Sequence, residues 1–163
     1  GWHTTVVLVS STLSPDAVHH LRLLRKINVP IVSLARQKAV AHQRISHRDV
    51  LIDALIGYRL RGAPHGVYGE VVTLMNRSSA KVIAYDIPTG VDATTGECHY
   101  PCLQAEATLT LGLPKLAFKS RQAKQHAGAV YLADIGIPEF VYNKISPGSR
   151  PPFERGKTGV LKL

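Results

Sequence analysis

The stretch K-V-I-A-Y-D-I-P-T-G, residues 81–90, decides the fold. After Lys81, the next six residues form a near-continuous apolar run interrupted by one acid, Asp86. Such a run reads as a strand buried on both faces, not as an amphipathic strand with one wet side. Pro88, which has no N–H to donate, halts it, and Gly90 supplies the turn. Upstream, residues 66–78 place Val67, Val71, Leu74 and Met75 at helical spacing. Before that helix, D-V-L-I-D-A-L at residues 49–55 is another apolar strand, broken by Gly57. Strand, helix and strand in this order make the unit of a parallel sheet.

The same alternation continues in both directions. T-T-V-V-L-V-S at residues 4–10 is rich in β-branched side chains and reads as a buried strand. Ser14 is placed to cap a helix with Pro15 in its first turn, and Ala17, Leu21, Leu24 and Ile27 share one face of residues 16–27. Residues 30–34 form a short strand, whereas residues 36–48 are basic and weakly patterned, a loop or a poor surface helix. Residues 107–113 and 129–135 are two more strands, with an antiparallel edge admitted among them, and residues 138–145 are a short helix. The expected fold class is α/β: a three-layer, Rossmann-like, mostly parallel sheet with helices on both faces and right-handed crossovers. Residues 1–145 form the domain, and residues 146–163 a flexible basic tail rich in Pro, Gly, Arg and Lys.

The chain opens at Gly1 and its one methionine is Met75, so a processed or truncated piece is expected. If an upstream strand and helix are absent, apolar residues near Val6, Leu8 or residues 50–52 should be more exposed than an ordinary core permits. With 163 residues, 45% of them hydrophobic, one globular domain is expected. No apolar run reaches the length of a bilayer span, and cytoplasm or another intracellular compartment is the default. Twenty Lys and Arg against eleven Asp and Glu give a formal charge of +9, which favours anionic partners. The basic residues are scattered and carry no RNA-binding signature, which argues against specific nucleic-acid binding. Cys98 and Cys102 are the two cysteines, with no second Cys/His pair at finger-like spacing, and read as reduced thiols in a loop.

Ligands of open α/β sheets bind outside the carboxyl ends of the strands. Asp53 and Asp86 both stand there, each a lone carboxylate in an apolar strand. Burying an unpaired carboxylate costs several kcal/mol, so each needs a cation, donors or a proton. One such Asp reads best as a turn cap; two at matching strand ends point to function. After Asp53 comes G-Y-R-L-R-G-A-P-H-G, residues 57–66. Its glycines let the backbone approach a ligand, Arg59 and Arg61 supply charge for phosphate, and the next helix begins near Gly66. Lys115, behind Pro114 at a strand end, reads either as a partner for phosphate or for a carboxylate such as Asp86, or as a surface lysine, with the surface reading preferred. The eight histidines, His126 among them, have no assignable partners.

Four blocks stand in order: D-A-L-I-G from Asp53, D-I-P-T-G-V-D-A-T-T-G from Asp86, L-G-L-P-K-L from Leu111, and Y-L-A-D-I-G-I-P from Tyr131. In them, and over about residues 1–145, the chain resembles the NAD(P)H-hydrate epimerase family, the YjeF N-terminal domain. The resemblance implies a Rossmann-like fold, epimerisation of hydrated NADH or NADPH (NADHX, NADPHX) at carbon six of the nicotinamide ring, and one bound K+. It implies that Asp53 is catalytic and a K+ ligand, and that Thr89 is a K+ ligand where the family usually has serine. It places Gly57, Tyr58, Arg59, Leu60, Arg61, Gly62, Ala63 and Asp86 against the substrate. It implies an NAD(P)H-hydrate dehydratase as functional partner and admits a homodimer. Family members also carry an upstream Asn- and Gly-rich loop that this chain lacks, which ties activity to the complete parent protein. The alternative is a non-catalytic binding module of the same fold, RNA-associated or a protein scaffold, to which the basic charge gives weight.

Overall fold

The computed structural model describes residues 2–148, 150–153 and 159–163. Gly1, the first residue of the expected domain, and residues 149 and 154–158 of the expected tail lie outside the described residues. Among the described residues, seven strands and five helices follow in this order: β1 (Val6–Leu8), α1 (Pro15–Lys26), β2 (Ile31–Ser33), α2 (Lys38–Ser46), β3 (Val50–Asp53), α3 (Gly66–Arg77), β4 (Lys81–Tyr85), β5 (Ala107–Leu111), α4 (Arg121–Ala127), β6 (Ala129–Ala133), α5 (Glu139–Ile145) and β7 (Val160–Lys162). Short 3₁₀ turns at Gly57–Arg59 and Leu116–Lys119 follow β3 and precede α4. The strands expected from the apolar runs are all present, each shorter than its run.

Five strands pair in the order β3-β4-β5-β6-β7, parallel from β3 to β6. The register sets Asp53 opposite Ala84, so the carboxyl ends of β3 and β4 lie side by side. One core cluster joins Val32 and Leu34 beside β2, Ala41 and Ile45 of α2, Val71, Val72 and Met75 of α3, and Val82 of β4. A second gathers Ile87, Val91, Ala117, Phe118, Ala123 and Ala127 around α4, with Val130 of β6 against them.

Four details differ from the sequence reading. Residues 36–48, read as a loop or a poor surface helix, hold helix α2, and it is not wholly a surface helix, because Ala41 and Ile45 form a one-turn apolar stripe and are buried. Lys38 Nζ and His42 Nε2 meet Glu70 Oε1 of α3 at 2.8 and 3.1 Å, which pins the polar side of α2. Helix α1 is capped as expected, with Ala17 N donating to Ser14 Oγ, but within it only Leu21 is buried, and Ile27 ends the helix 70% exposed. It joins β1 to β2, and this narrow pair offers too little sheet to cover a longer stripe. The segment read as a loose tail ends in β7, antiparallel to β6 with Leu132 opposite Leu161. An unpaired edge of β6 supplies the donors and acceptors that three exposed residues can satisfy.

The fourth difference concerns the sheet itself. β1 and β2 form a separate parallel pair that is not hydrogen-bonded to β3. Between β1 and β3 opens a cavity of about 570 Å³ lined by Val7, Val9, Leu51, Ile52 and Leu55 among others. Ile52 is 66% exposed, and Val6, Leu8, Val50 and Leu51 are half-buried. The exposed apolar stripe expected beside β1 and β3 is therefore present.

Candidate functional site at the carboxyl ends of the strands

Asp53 ends β3 and is 1% exposed. Three donors meet its carboxylate. Thr89 N donates to Oδ2 at 2.8 Å, Thr89 Oγ1 to Oδ1 at 2.8 Å, and Leu55 N to Oδ1 at 3.2 Å. Burial pushes the Asp53 carboxyl above the ordinary carboxylate range, while the N–H and O–H of Thr89 and the N–H of Leu55 pull the other way. The outcome is a carboxyl held in a fixed orientation and biased toward keeping its proton.

Thr89 is equally buried and belongs to the turn after β4, which ends at Tyr85. Asp86 opens that turn with φ at +75°, in the left-handed region that a non-glycine residue enters at a cost of about 1–3 kcal/mol. Its N–H still reaches the carbonyl oxygen of Leu109 at 2.9 Å, so the twist is held from β5. The turn aims the carboxylate at the start of the glycine-rich loop. A side chain on Gly57, itself at φ +65°, would place its Cβ 3.7 Å from Asp86 Oδ2. Asp53, Asp86, Gly57 and Thr89 thus share one end of the sheet.

Lys115 completes the group. Its Nζ lies 2.7 Å from Asp86 Oδ1, and it also donates to the carbonyls of Leu111 and Leu113 at 3.1 and 3.3 Å. The side chains of Lys115 and Asp86 are only 19% and 12% exposed, so this is a sheltered ion pair and not the surface lysine that the sequence reading preferred. Asp86 Oδ1 is met by charge alone, without an aligned hydrogen bond.

The loop after Asp53 is less uniform than its glycine content suggests. Gly57, Tyr58 and Arg59 form the 3₁₀ turn, and Arg59 Nε donates to the hydroxyl of its neighbour Tyr58 at 3.3 Å. Arg61, Gly62 and Ala63 are exposed. Leu60 is buried at 7% exposure, so its side chain serves the core and only its backbone could face a ligand. Helix α3 then starts at Gly66 with no side chain capping its first turn.

The oxygen donors suit a hard monovalent cation. A carboxylate has about four lone-pair directions and three are taken at Asp53, while the Thr89 hydroxyl donates its proton to Asp53 and keeps its own lone pairs free. Asp53 and Thr89 can therefore contribute to a K+ site without breaking their mutual bonds.

An open, mostly parallel sheet with buried carboxylates at adjoining strand ends defines a Rossmann-like α/β protein, with its candidate site at the strand ends. The family described as "YjeF-related protein N-terminus" matches residues 1–117, and the chain belongs to that family. Among curated proteins, the NAD(P)H-hydrate epimerase of Rhodopirellula baltica is 39% identical over 140 residues, covering 85% of this chain and 57% of the relative. The NAD(P)H-hydrate epimerase of Dehalogenimonas lykanthroporepellens is 38% identical over 109 residues, 66% of this chain and 43% of the relative. The Bifunctional NAD(P)H-hydrate repair enzyme Nnr of Moorella thermoacetica is 32% identical over 126 residues, 76% of this chain and 24% of the relative. The chain thus spans roughly a quarter to three fifths of the length of these relatives. The crystal structure of yeast ynu0 superposes with a TM-score of 0.75 at 19% identity, over 94% of this chain and 62% of that one, and supports the fold. Among the described residues no helix is long and apolar enough to cross a membrane.

Proposed function

We propose that the complete protein epimerises hydrated NADH and NADPH, and that residues 1–145 carry the Asp53 half of its active site. The observation that carries this reading is the buried Asp53 carboxyl, clamped by Thr89 beside the Asp86–Lys115 pair. The hydrated carbon six bears a hydroxyl next to the ring nitrogen. Protonated Asp53 gives its proton to that hydroxyl, the C–O bond breaks with help from the nitrogen lone pair, and water leaves a planar ring cation. Water adds back to either face and returns a proton to the Asp53 carboxylate. Every atom is restored, and only the configuration changes. A carboxyl biased toward its proton is suited to both halves of this cycle.

Asp86 and the residues from Gly57 to Ala63 would hold the nucleotide, Arg59 and Arg61 adding positive charge for its phosphates. A bound K+, held in part by Asp53 and Thr89, would offset the nucleotide's negative charge. The family resemblance adds a dehydratase as the protein's functional partner.

The test follows interconversion of the two hydrated epimers by the complete protein with K+ present. Interconversion that depends on Asp53 supports the proposal. A well-folded protein without that activity, but with affinity for RNA or for a protein partner, would move the assignment to a binding module.

A further inference from the structure

Cys98 and Cys102 stand between β4 and β5, and His126 stands in the last turn of α4. The fold brings their two sulfurs and one ring nitrogen within 4.8 Å of one another. Both thiols are free, Cys102 is buried, and Cys98 and His126 are half-buried. Nothing in the epimerase reading uses them. We propose that Cys98, Cys102 and His126 bind a thiophilic divalent cation of the Zn²⁺ class behind the turn that carries Thr89.

Three observations support a built site. First, the ligand-bearing loop is fixed by its backbone: Asn76 Nδ2 donates to the Cys102 carbonyl at 2.9 Å, and Leu103 N donates to the Thr89 carbonyl at 2.8 Å. Second, His126 Nδ1 lies 2.9 Å from the carbonyl oxygen of Leu103, so Nδ1 must be the donor and the ring's lone pair sits on Nε2. A carbonyl holding one ring nitrogen while the other faces a metal is the usual outer support of a histidine ligand. Third, the dimensions fit. Zn–S of about 2.3 Å and Zn–N of about 2.0–2.1 Å put tetrahedral ligand atoms about 3.5–3.8 Å apart, within rotamer adjustment of the observed cluster. Two sulfurs and an imidazole select a soft cation over Mg²⁺ or K+. Three protein ligands leave a fourth position for water or another donor on the open side of Cys98.

Occupancy would act on the strand-end site through packing. A side chain on Gly90 would bring its Cβ within 2.6 Å of Cys102 Cα, so the cysteine is pressed against the turn that clamps Asp53. A cation tying that loop to α4 therefore stiffens the turn without touching the nucleotide.

The test uses the reduced full-length protein, kept under a phosphine reductant, with Co²⁺ as spectroscopic probe and Zn²⁺ as competitor. The expected result is about one Co²⁺ per chain with thiolate charge-transfer and tetrahedral visible bands, displaced by Zn²⁺. Cys98→Ser and His126→Gln, each shown folded by circular dichroism, should weaken Zn²⁺ binding at least about tenfold and remove the Zn²⁺-induced rise in melting temperature. Gln can still donate to Leu103, and Cys98 is only half-buried, so neither change depends on disturbing Cys102 against Gly90. Equal Zn²⁺ affinity in His126→Gln and the parent would overturn the proposal. So would a reduced protein that takes up no Co²⁺, whether or not its thiols pair on oxidation. None of these readouts involves epimerisation, so the metal site and the enzymatic assignment can fail separately.

Discussion

Thr89 holds Asp53 by both carboxylate oxygens, its N–H on Oδ2 and its hydroxyl on Oδ1, each at 2.8 Å. The two residues are 36 positions apart, and the clamp joins the end of β3 to the turn after β4. It fixes the direction of a carboxylate that burial alone would leave costly and unaimed.

Removing the hydroxyl while keeping the shape should be felt in stability. Thr89→Val leaves Asp53 Oδ1 with the N–H of Leu55 alone and should cost about 1–3 kcal/mol. Thr89→Ser keeps the donor and should cost less than about 1.5 kcal/mol, for the lost methyl group. Urea unfolding of both variants checks this, and equal stability of the two would remove the hydroxyl bond from the account.

In the complete protein, Asp53→Asn should lower epimerisation by about 10²–10⁴-fold or more, because the amide cannot shuttle a proton. The fold should survive with a lower melting temperature, since the new NH₂ faces the N–H of Thr89, donor against donor. Turnover per folded molecule is the deciding quantity. A near-normal value would show that Asp53 is structural.

The raised Asp53 pKa also has a signed consequence for stability. Below the unfolded value of about 3.9 both states hold the proton and the shift contributes nothing. As pH rises through the raised folded value, the unfolded state releases its proton more readily, so stability falls. The stability of Asp53→Asn relative to the parent should therefore increase from about pH 4 upward, above a constant offset from the donor clash. Paired urea titrations across that range measure the difference, and a parent that gains on the variant with rising pH would reverse the assignment.

Lys115→Met should strand the Asp86 carboxylate in a sheltered position and cost about 1–3 kcal/mol. Asp86→Asn combined with Lys115→Met should cost less than the sum of the two single changes. A double-mutant cycle measures this coupling; additive effects would mean that the 2.7 Å pair is energetically idle.

What the sequence made legible was what periodicity records. The apolar runs around Ile52 and Ile83 gave β3 and β4, and the acids that follow them pointed to the candidate site, because strand ends and turn residues are local signals. Residues 36–48 stayed undecided between a loop and a poor surface helix because the buried face of α2 is Ala41 and Ile45 alone, with Lys38 paired to a residue on another helix. The Lys115–Asp86 pair stood only as an option behind a surface lysine, and His126 had no assignable partner, for a related reason. Each is defined by a partner far along the chain, Asp86 or the two cysteines, and no spacing rule joins them. The burial of the Leu60 side chain was not legible, because a glycine-rich loop reads as exposed, whereas this one turns a leucine inward.

The break between β1 and β3 bears on how the molecule comes apart. A continuous ladder makes strands open together, but here the β1–β2 pair is fastened to the rest through shared side-chain packing, with no backbone bond crossing the gap. It can therefore breathe as a local unit while β3 to β6 stay shut, exchanging the amides of Val7 and Val32 with solvent faster than those of Val82 and Leu109.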